Sequence, residues 1–456
     1  MKKKFTTGAP VMKLSLLLIF VLCLLSGKHS FAQTYSEKLD QYIAAHVQQE
    51  IYSGTVTVTE NGKVVYSKGF GMADYYKQLS NNADTRFRFG SITKAFTATL
   101  ILQLQEQGKL NVQDKVSKYL PDFPHGDKIT LHQLLTHTSG LSNYTDYWDD
   151  VNVKPATATE IINYFKDKPL EFEPGQKFGY CNSGYVLLGY IAEKVSGKTY
   201  EQLLAKNILK PLKMTTAGLE GGANRIQKLA LGYDHSGVNR KAATPIDMSW
   251  CWAAGALTGT AADLMKFDQG LQGNKLLSEA SKNLMYTPEK KNYGYGCVID
   301  SLYGAKRISY TGAINGFKAS FIRFPEKQLT ITILSNYQSQ QVNGPIAKDI
   351  TAIVLGQKFE MPVVRKMITL SPTKLQAYVG SYEVAPQMAF NVVYDGEQLL
   401  MEGMGQPAFA IFPEAEDKFF LKVAPAVVAF EKDENGNISK LTMTHNGRAM
   451  PAKRVK

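Results

Sequence analysis

A serine and a lysine three residues apart are the sharpest chemical pattern in the chain. Ser91 and Lys94 stand at the start of an apolar run over 95–102, which predicts a helix that begins at the serine. Residues at positions i and i+3 share a helix face, so the Ser91 hydroxyl and the Lys94 amine can meet. A serine hydroxyl becomes an effective nucleophile when a neighbouring base takes its proton, and a desolvated lysine can act as that base.

The same spacing occurs a second time, at Ser371 and Lys374. A serine at the start of a helix is commonly an N-cap, and this alternative applies to either serine when it is considered alone. Ser371 opens a segment that carries none of the accompanying motifs, so we interpret it as a structural serine. The interpretation of Ser91 as a nucleophile depends on two further motifs.

The first of these motifs is Tyr180-Cys181-Asn182, the single Tyr-x-Asn in the chain. A tyrosine close to a lysine can relay protons. An asparagine amide can bind a carbonyl oxygen or an amine of a substrate. We interpret Cys181 as a small partner side chain rather than as a reactive thiol.

The second motif is Tyr310-Thr311-Gly312-Ala313, which lies on a predicted strand. A glycine inside a strand allows a ligand to approach the backbone closely. The motif therefore predicts that a substrate lies along this strand.

The three motifs occur in the order that is typical of the serine beta-lactamase-like family, and the chain resembles this family over about residues 35–357. The family includes class C beta-lactamases, DD-carboxypeptidases, D-aminopeptidases and related esterases. The segment LLTHTSGL over 134–141 is also similar to a family segment. The resemblance implies an α+β fold in which a mixed sheet is flanked by helices and by a helical lobe.

The resemblance also implies roles for the Ser91–Lys94 pair and for Tyr180 and Asn182. Ser91 would be the acylated nucleophile, and Lys94 would be its general base. Tyr180 would pass a proton to or from the leaving group, and Asn182 would bind the substrate's amide.

The backbone N–H group of Ser91 and that of Ala313, which lies on the predicted strand, would form the oxyanion hole. Thr311 and Gly312 of the same strand would contact the bound substrate. The family usually begins this motif with Lys or His, where this chain has Tyr310. A fixed cation would hold a substrate carboxylate, whereas a tyrosine offers one neutral hydrogen bond, and charge-assisted bonds are about twice as strong.

We therefore expect a serine hydrolase that acts on peptide, amide or ester substrates, including cell-wall peptides. A beta-lactamase is the alternative within the enzyme class. A non-catalytic, penicillin-binding-like sensor module is the alternative outside it. No nucleotide-binding fingerprint occurs, and we expect neither a cofactor nor a metal ion.

The elements that must position these residues come from both ends of one unit. Apolar residues recur at helical spacing over Tyr35–Ile51, and Asn61-Gly62 separates two strand-like runs as in a hairpin. Further strand-like runs lie between 308 and 334, and the chain between 91 and 250 is mostly of helical type. These patterns predict one sheet built from both ends, with helices inserted between them.

The composition changes after about residue 365, where short strand-like segments alternate with Gly turns. This rhythm predicts a small all-β domain, and the segment Leu375–Glu383 resembles lipocalin-like modules. The predicted organisation is a signal peptide over 1–32, a hydrolase domain over 33–360 and a β-barrel domain over 361–456.

The N-terminal segment has the features of an export signal. Residues 1–32 carry five lysines, no acidic residue and a 12-residue apolar run. They end in Ser30-Phe31-Ala32, which has the small residues of a signal-peptidase cleavage site before Gln33. Its removal lowers the formal net charge from +12 to +7 and leaves no apolar run of membrane-spanning length. We therefore expect an exported bacterial protein, periplasmic or secreted, that has a small-molecule or peptide substrate and does not bind nucleic acid.

The remaining cysteines and histidines do not follow a metal-binding pattern. Cys181, Cys251 and Cys297 are separated by 70 and 46 residues, which matches no zinc site. A disulfide between the last two stays open as an alternative. His132 and His137 lie in a helix-turn segment, and we interpret both as structural.

Overall fold

The computed structural model describes residue 1 and residues 35–148, 154–221, 228–235, 240–403, 405–422, 424, 426–445 and 447–455. Apart from its first residue, the predicted signal peptide over 1–32 lies outside the described residues. In the described part of the chain, no helix has both the length and the apolar character that a membrane span requires.

The fold combines helices with two strand-rich units. The described helices are α1 (35–48), α2 (Thr93–Glu106), α3 (Leu131–Leu135), α4 (Ala158–Phe165), α5 (Asn182–Ser196), α6 (Tyr200–Leu204), α7 (Trp252–Gly255), α8 (Ala261–Gln272), α9 (Glu279–Met285), α10 (Ala347–Val354) and α11 (Pro372–Ala377). The strands of the first unit are β1 (Gly54–Glu60), β2 (Lys63–Phe70), β3 (Met72–Asp74), β4 (Leu79–Ser80), β5 (Phe87–Arg88), β6 (Gly218–Leu219), β7 (Tyr233–His235), β8 (Arg240–Ala242), β9 (Leu257–Gly259), β10 (Val298–Leu302), β11 (Ala305–Ile314), β12 (Phe317–Phe324) and β13 (Leu329–Ser335).

The main sheet joins the two ends of the first unit, as the sequence predicts. Its strand order is β10-β11-β12-β13-β1-β2, and every neighbouring pair runs antiparallel. Val56 of the first strand pairs with Ile333 of the last. Asn61 and Gly62 both have positive φ, 50° and 72°, as the tight turn of a twisted hairpin requires. The predicted α+β fold is confirmed.

The sheet is covered by helices on both faces. On one face, α1 and α10 pack Leu39 and Ile350 against the buried β1 and β13. On the other face, β11 and β12 contribute Tyr310 and Phe321 to a larger core that contains α2 and the helical lobe, which consists of α3 to α7. Helix α2 lies at the centre of this core, with 11 of its 14 residues buried. Its first turn, which carries Lys94, is therefore held in place from all sides.

The C-terminal unit is a closed barrel of antiparallel strands, which confirms the predicted all-β domain. Its strands are β14 (Gly380–Ala385), β15 (Met388–Tyr394), β16 (Leu399–Gly403), β17 (Gln406–Ala415), β18 (Lys418–Phe420), β19 (Ala426–Lys432), β20 (Ile438–His445) and β21 (Arg448–Arg454). The pairing of Tyr382 with Arg454 closes the barrel. Apolar side chains fill its interior, and Tyr378, just after α11, packs against Phe419 and Phe430. The likeness to lipocalins and the exact domain boundaries stay predictions.

The barrel and the first unit share one carboxylate. Glu50, which follows α1, accepts hydrogen bonds from Arg240 of β8 at 2.6 Å and from Lys422 of the barrel at 2.7 Å. Arg240 also lies 3.6 Å from the ring centroid of Tyr75. The two hydrogen-bonded ion pairs of Glu50 thus connect β8 of the first unit to the barrel segment that carries Lys422.

Gly312 provides a test of how closely β11 approaches the turn before α2. A Cβ atom at this position would lie 1.9 Å from the carbonyl oxygen of Phe89, so Gly312→Ala requires one backbone segment to shift. We expect a loss of about 1–3 kcal/mol in the free energy of unfolding. All three tryptophans lie in the first unit, so tryptophan fluorescence during urea unfolding reports on this unit.

Gly218→Ala is the matched control, because no heavy atom lies within 4 Å of the Cβ that it would add. Its urea midpoint should stay close to that of the unmodified protein. Equal midpoints for the two variants would contradict the close contact at Gly312.

Candidate active site

Ser91 lies in a short 3-10 turn, Gly90–Ile92, directly before α2. Its side chain caps neither this turn nor the helix, so the N-cap alternative does not apply. Gly90 has a φ of 54°, and a Cβ there would lie 2.8 Å from the backbone nitrogen of Ala313. The turn therefore holds Ser91 against β11, with its hydroxyl free for other contacts.

Lys94 is fully buried, and three polar groups surround its amine. Its Nζ lies 3.0 Å from Ser91 Oγ, 2.7 Å from Asn182 Oδ1 and 2.9 Å from the carbonyl oxygen of Ala254. The last two atoms can only accept hydrogen bonds. Lys94 donates to both of them, and the third position of its amine faces the serine hydroxyl. The geometry thus suits proton abstraction from Ser91.

Tyr180 approaches the serine from the solvent side. Its hydroxyl lies 2.8 Å from Ser91 Oγ, and its ring centroid lies 5.0 Å from Lys94 Nζ. The side chain is 43% exposed, so a substrate can reach it. A group in contact with both the nucleophile and open solvent is well placed to exchange a proton with a leaving group.

Asn182 is the first residue of α5, and its orientation is fixed by its neighbours. Its backbone N–H donates to Asn143 Oδ1 at 2.9 Å, and its Nδ2 donates to Thr145 at 3.2 Å. Its Oδ1 accepts from Lys94. The structure thus brings Ser91, Lys94, Tyr180 and Asn182 together as predicted, and it adds a contact from Asn182 to the lysine.

His137 contacts the segment that carries Tyr180 and Cys181. Its Nδ1 lies 3.1 Å from the backbone nitrogen of Cys181, its Nε2 lies 3.1 Å from Tyr293 Oη, and its ring lies 4.3 Å from that of Tyr180. Because a backbone N–H can only donate, Nδ1 is the acceptor and the proton sits on Nε2. Burial, together with the charge of Lys94, lowers the pKa of His137 well below its ordinary value. These contacts fit the interpretation of His137 as a structural residue, which stays a prediction.

The Tyr310-Thr311-Gly312-Ala313 motif alternates between exposed and buried positions along β11. Thr311 and Ala313 are exposed, whereas Tyr310 and Gly312 face the core. Tyr310 stacks on Phe321 at a centroid distance of 5.1 Å. Its hydroxyl lies 3.3 Å from the hydroxyl of Tyr286, so it is turned away from Ser91 toward a buried polar group.

Asn343 is a residue of this region that sequence reasoning did not identify. Its Nδ2 donates to the carbonyl oxygen of Gly312 at 2.9 Å, and Ser320 donates to its Oδ1 at 3.0 Å. Asn343 lies 31 residues from Gly312 along the chain, and no local pattern marks it.

Two cavities meet at the serine. The first has a volume of about 240 Å³ and is lined by Trp148 and Gln338, and we call it the Trp148 cavity. The second has a volume of about 320 Å³ and is lined by Tyr310 and Tyr180, and we call it the Tyr310 cavity. Both share Ser91, Asn182 and Ala313. Among the described residues that line them, none is an acid, a lysine or an arginine. The described walls of the site are therefore polar but uncharged.

The three cysteines in the described part of the chain, Cys181, Cys251 and Cys297, are free and buried, so the structure does not pair Cys251 with Cys297. Cys251 lines the Trp148 cavity and Cys297 lines the Tyr310 cavity. Burial raises the pKa of each of these two thiols to about 12, which keeps them protonated and poorly nucleophilic. The described residues contain no group of side chains arranged to hold a metal ion.

Comparisons with known proteins agree with this architecture. The Beta-lactamase family matches residues 39–355, and a domain of unknown function, DUF3471, matches residues 364–453. A penicillin-binding protein of Bacillus subtilis is 30% identical over 413 residues, which are 84% of this chain and 91% of that protein.

Two solved structures extend the comparison. An octameric penicillin-binding protein homologue from Pyrococcus abyssi has a TM-score of 0.65 and 27% identity, and the match covers 91% of this chain and 99% of that one. A D-stereospecific amidohydrolase from Streptomyces has a TM-score of 0.62 and 26% identity, and it covers 71% of this chain and 99% of its own.

His137 should give the protein a pH-dependent stability. Its pKa is lowered in the folded state, so below about pH 6.5 the unfolded chain binds a proton that the folded chain does not. The contribution of His137 to the free energy of unfolding is therefore fully present above about pH 6.5, and it falls by about 1.4 kcal/mol for each pH unit below that value. Urea unfolding of the protein and of His137→Asn between pH 7.5 and 5 measures the difference.

Asparagine suits this test because it tolerates the positive φ of 57° and offers an acceptor where Nδ1 stands. We expect the variant to lack this part of the acid-side slope. Parallel pH profiles would show that His137 is not the titrating group.

Proposed function

Because the chain belongs to the beta-lactamase family of serine hydrolases, we propose that it cleaves uncharged amide or ester bonds, including those of peptides, through an acyl-enzyme at Ser91. One observation carries this proposal. Ser91 Oγ lies within hydrogen-bonding distance of both Lys94 Nζ, at 3.0 Å, and Tyr180 Oη, at 2.8 Å. The nucleophile, a base and a second proton carrier thus converge on one atom.

In the first half of the reaction, Ser91 Oγ attacks the substrate carbonyl carbon while Lys94 accepts the hydroxyl proton. Tyr180 delivers a proton to the leaving nitrogen or oxygen as its bond to the carbonyl carbon breaks, and the proton held by Lys94 then replaces it on Tyr180. In the second half, water attacks the acyl carbonyl carbon and gives a proton to Lys94. The bond between that carbon and Ser91 Oγ breaks, Lys94 passes this proton to Oγ, and the acid is released. Asn182 keeps the amine of Lys94 aimed at the serine throughout.

The backbone N–H groups of Ser91 and Ala313 are proposed to bind the developing oxyanion. The close contacts at Gly90 and Gly312 bring these two backbones together, which supports the assignment. An oxyanion-hole donor contributes about 3–4 kcal/mol to transition-state stabilisation in serine proteases. The exposed Thr311 lies beside Ala313 on the same strand face, where a substrate would contact it.

The uncharged cavity walls support a neutral substrate. Tyr180, which serves the leaving group, lines the Tyr310 cavity, so we place the leaving group there and the acyl group in the Trp148 cavity. Neither cavity offers a described cation for a carboxylate or a described anion for an ammonium group. The likeness to an amidohydrolase is consistent with amide cleavage.

Acylation by a beta-lactam is the second candidate activity, because the curated relative in Bacillus is named a penicillin-binding protein. Intact-mass spectrometry after incubation with benzylpenicillin separates the possibilities. A stable adduct at Ser91 would favour a slow, sensor-like acylation, and released penicilloate would favour a beta-lactamase.

Ser91 can be tested against an internal control. The variant Ser91→Ala removes the attacking oxygen, so we expect loss of labelling by a fluorophosphonate probe and at least about a 1,000-fold loss in ester hydrolysis, since removal of the catalytic serine of a serine protease costs up to about 10⁶-fold. Gel fluorescence and an ester assay measure the two effects.

Ser371→Ala is the matched control, because Ser371 has the same spacing to a lysine but its hydroxyl caps α11 through the backbone N–H of Lys374. We expect it to label and hydrolyse like the unmodified protein. Labelling that persists in Ser91→Ala would overturn the assignment of the nucleophile.

We further propose that the protein is exported after cleavage before Gln33. The support is the sequence of residues 1–32, with its basic start and short apolar run. Expression of the full chain in a bacterial host and intact-mass spectrometry of the periplasmic or secreted fraction tests this. We expect a species that begins at Gln33, whereas an uncleaved chain in the cell pellet would contradict export.

A further inference from the structure

A cluster of exposed apolar side chains lies on the segment that joins the hydrolase unit to the barrel. We call residues 358–368 the connector. Five large apolar side chains of the connector are exposed: Met361, Val363, Val364, Met367 and Ile368. Single exposed apolar residues are ordinary on a protein surface, whereas a cluster of them is typical of an interaction site.

The backbone of the connector is also available for pairing. Among the described residues, no backbone group of 358–367 has a backbone hydrogen-bond partner, and the N–H of Ile368 donates to the carbonyl oxygen of Pro413 in β17 at 2.9 Å. In an extended strand, the N–H groups of alternate residues point to opposite edges. Because Ile368 points its N–H toward the barrel, the odd-numbered residues of an extended connector, such as Val363, point theirs toward the open edge.

We propose that the connector is a self-association surface, at which two copies of this chain pair as antiparallel strands around a two-fold axis at Val363. Such a contact adds a strand to an exposed edge and uses the same patch on both copies. Val363 forms two backbone hydrogen bonds with Val363 of the second copy, through the open edge.

A proline inside the connector fits this register. Pro362 has no N–H, so it must take a position that forms no hydrogen bonds between the strands. Hydrogen-bonded and non-hydrogen-bonded pairs alternate along an antiparallel ladder. When Val363 forms a hydrogen-bonded pair, Pro362 falls at a non-hydrogen-bonded pair opposite Val364.

The charged residues of the connector select the same register. Pairing centred on Val363 places Glu360 opposite Lys366 of the second copy, and the symmetry forms this pair twice. A centre one residue earlier opposes Lys358 and Lys366, and a centre at Arg365 opposes two arginines. The other centres between 361 and 365 place no acid opposite a base. Glu360 and Lys366 are both exposed, so they are accessible to a second copy.

Sedimentation velocity of the purified protein tests the association. We expect a reversible equilibrium between monomer and dimer at concentrations between about 1 and 200 μM. Val363→Asp places two carboxylates opposite each other at the axis, so we expect it to remain a monomer throughout. Val455→Asp is the matched control, because Val455 is a valine of similar exposure, 57% against 69%, that lies outside the connector. It should form dimers like the unmodified protein.

An exchange of charges tests the register. Glu360→Lys opposes two lysines at both pairs, and we expect the Kd of the dimer to rise about tenfold. The double variant Glu360→Lys/Lys366→Glu restores opposite charges, and its Kd should return to within about twofold of the original value. Glu434→Lys, at an exposed acid of the barrel, controls for the change in net charge.

Cross-linking locates the axis. In a hydrogen-bonded antiparallel pair the opposed Cα atoms lie about 5.5 Å apart, which a disulfide can span. We therefore expect mild oxidation to cross-link Val363→Cys. Met367→Cys is the control, because its position lies eight residues along the strand from its counterpart, roughly 26 Å away.

The possible outcomes separate the association from its register. A monomer at every concentration would overturn the proposal and favour a partner other than a second copy. Equal cross-linking of the two cysteine variants, or a double charge variant that stays as weak as Glu360→Lys, would overturn the register centred on Val363. Unchanged urea midpoints, followed by tryptophan fluorescence, would show that the variants are folded.

Discussion

The burial of one primary amine sets the requirements for the rest of the hydrolase domain. Lys94 is fully buried, and an amine without partners in such a place would be strongly destabilising. Its partners come from three elements that are far apart in sequence: the turn with Ser91, the start of α5 with Asn182 and the end of α7 with Ala254. These three elements must therefore pack closely around the first turn of α2 for the amine to keep all its partners.

Sequence reasoning identified the groups whose relation is local. A serine and a lysine at positions i and i+3 share a helix face by geometry alone, and Asn61-Gly62 forces a hairpin because it accepts positive φ. The strands at the two ends of the domain were recognisable by their β-branched residues. The last barrel strand, Arg448–Arg454, carries no such signal, because it contains a proline and lacks β-branched residues.

The parts that escaped prediction depend on contacts between distant segments. Ala254 acts through its backbone carbonyl, which leaves no signature in the sequence. The orientation of Tyr310 could not be read from its motif, because it depends on Tyr286 and Arg323, which come from an element before it and a strand after it. The contact between His137 and the backbone N–H of Cys181 likewise depends on the fold, because the two residues are 44 positions apart.

The two Ser-x-x-Lys segments of this chain differ in access to water. Lys374 is 53% exposed and forms an ion pair with Glu416, while the Ser371 hydroxyl is occupied at the helix start. Lys94 has no contact with solvent and must share its protons with the protein. Lys94 also contacts the hydroxyl of its own serine, which caps no helix. Burial and this direct contact, rather than the four-residue pattern, therefore distinguish the two serines, and pattern searches gain specificity when they include burial.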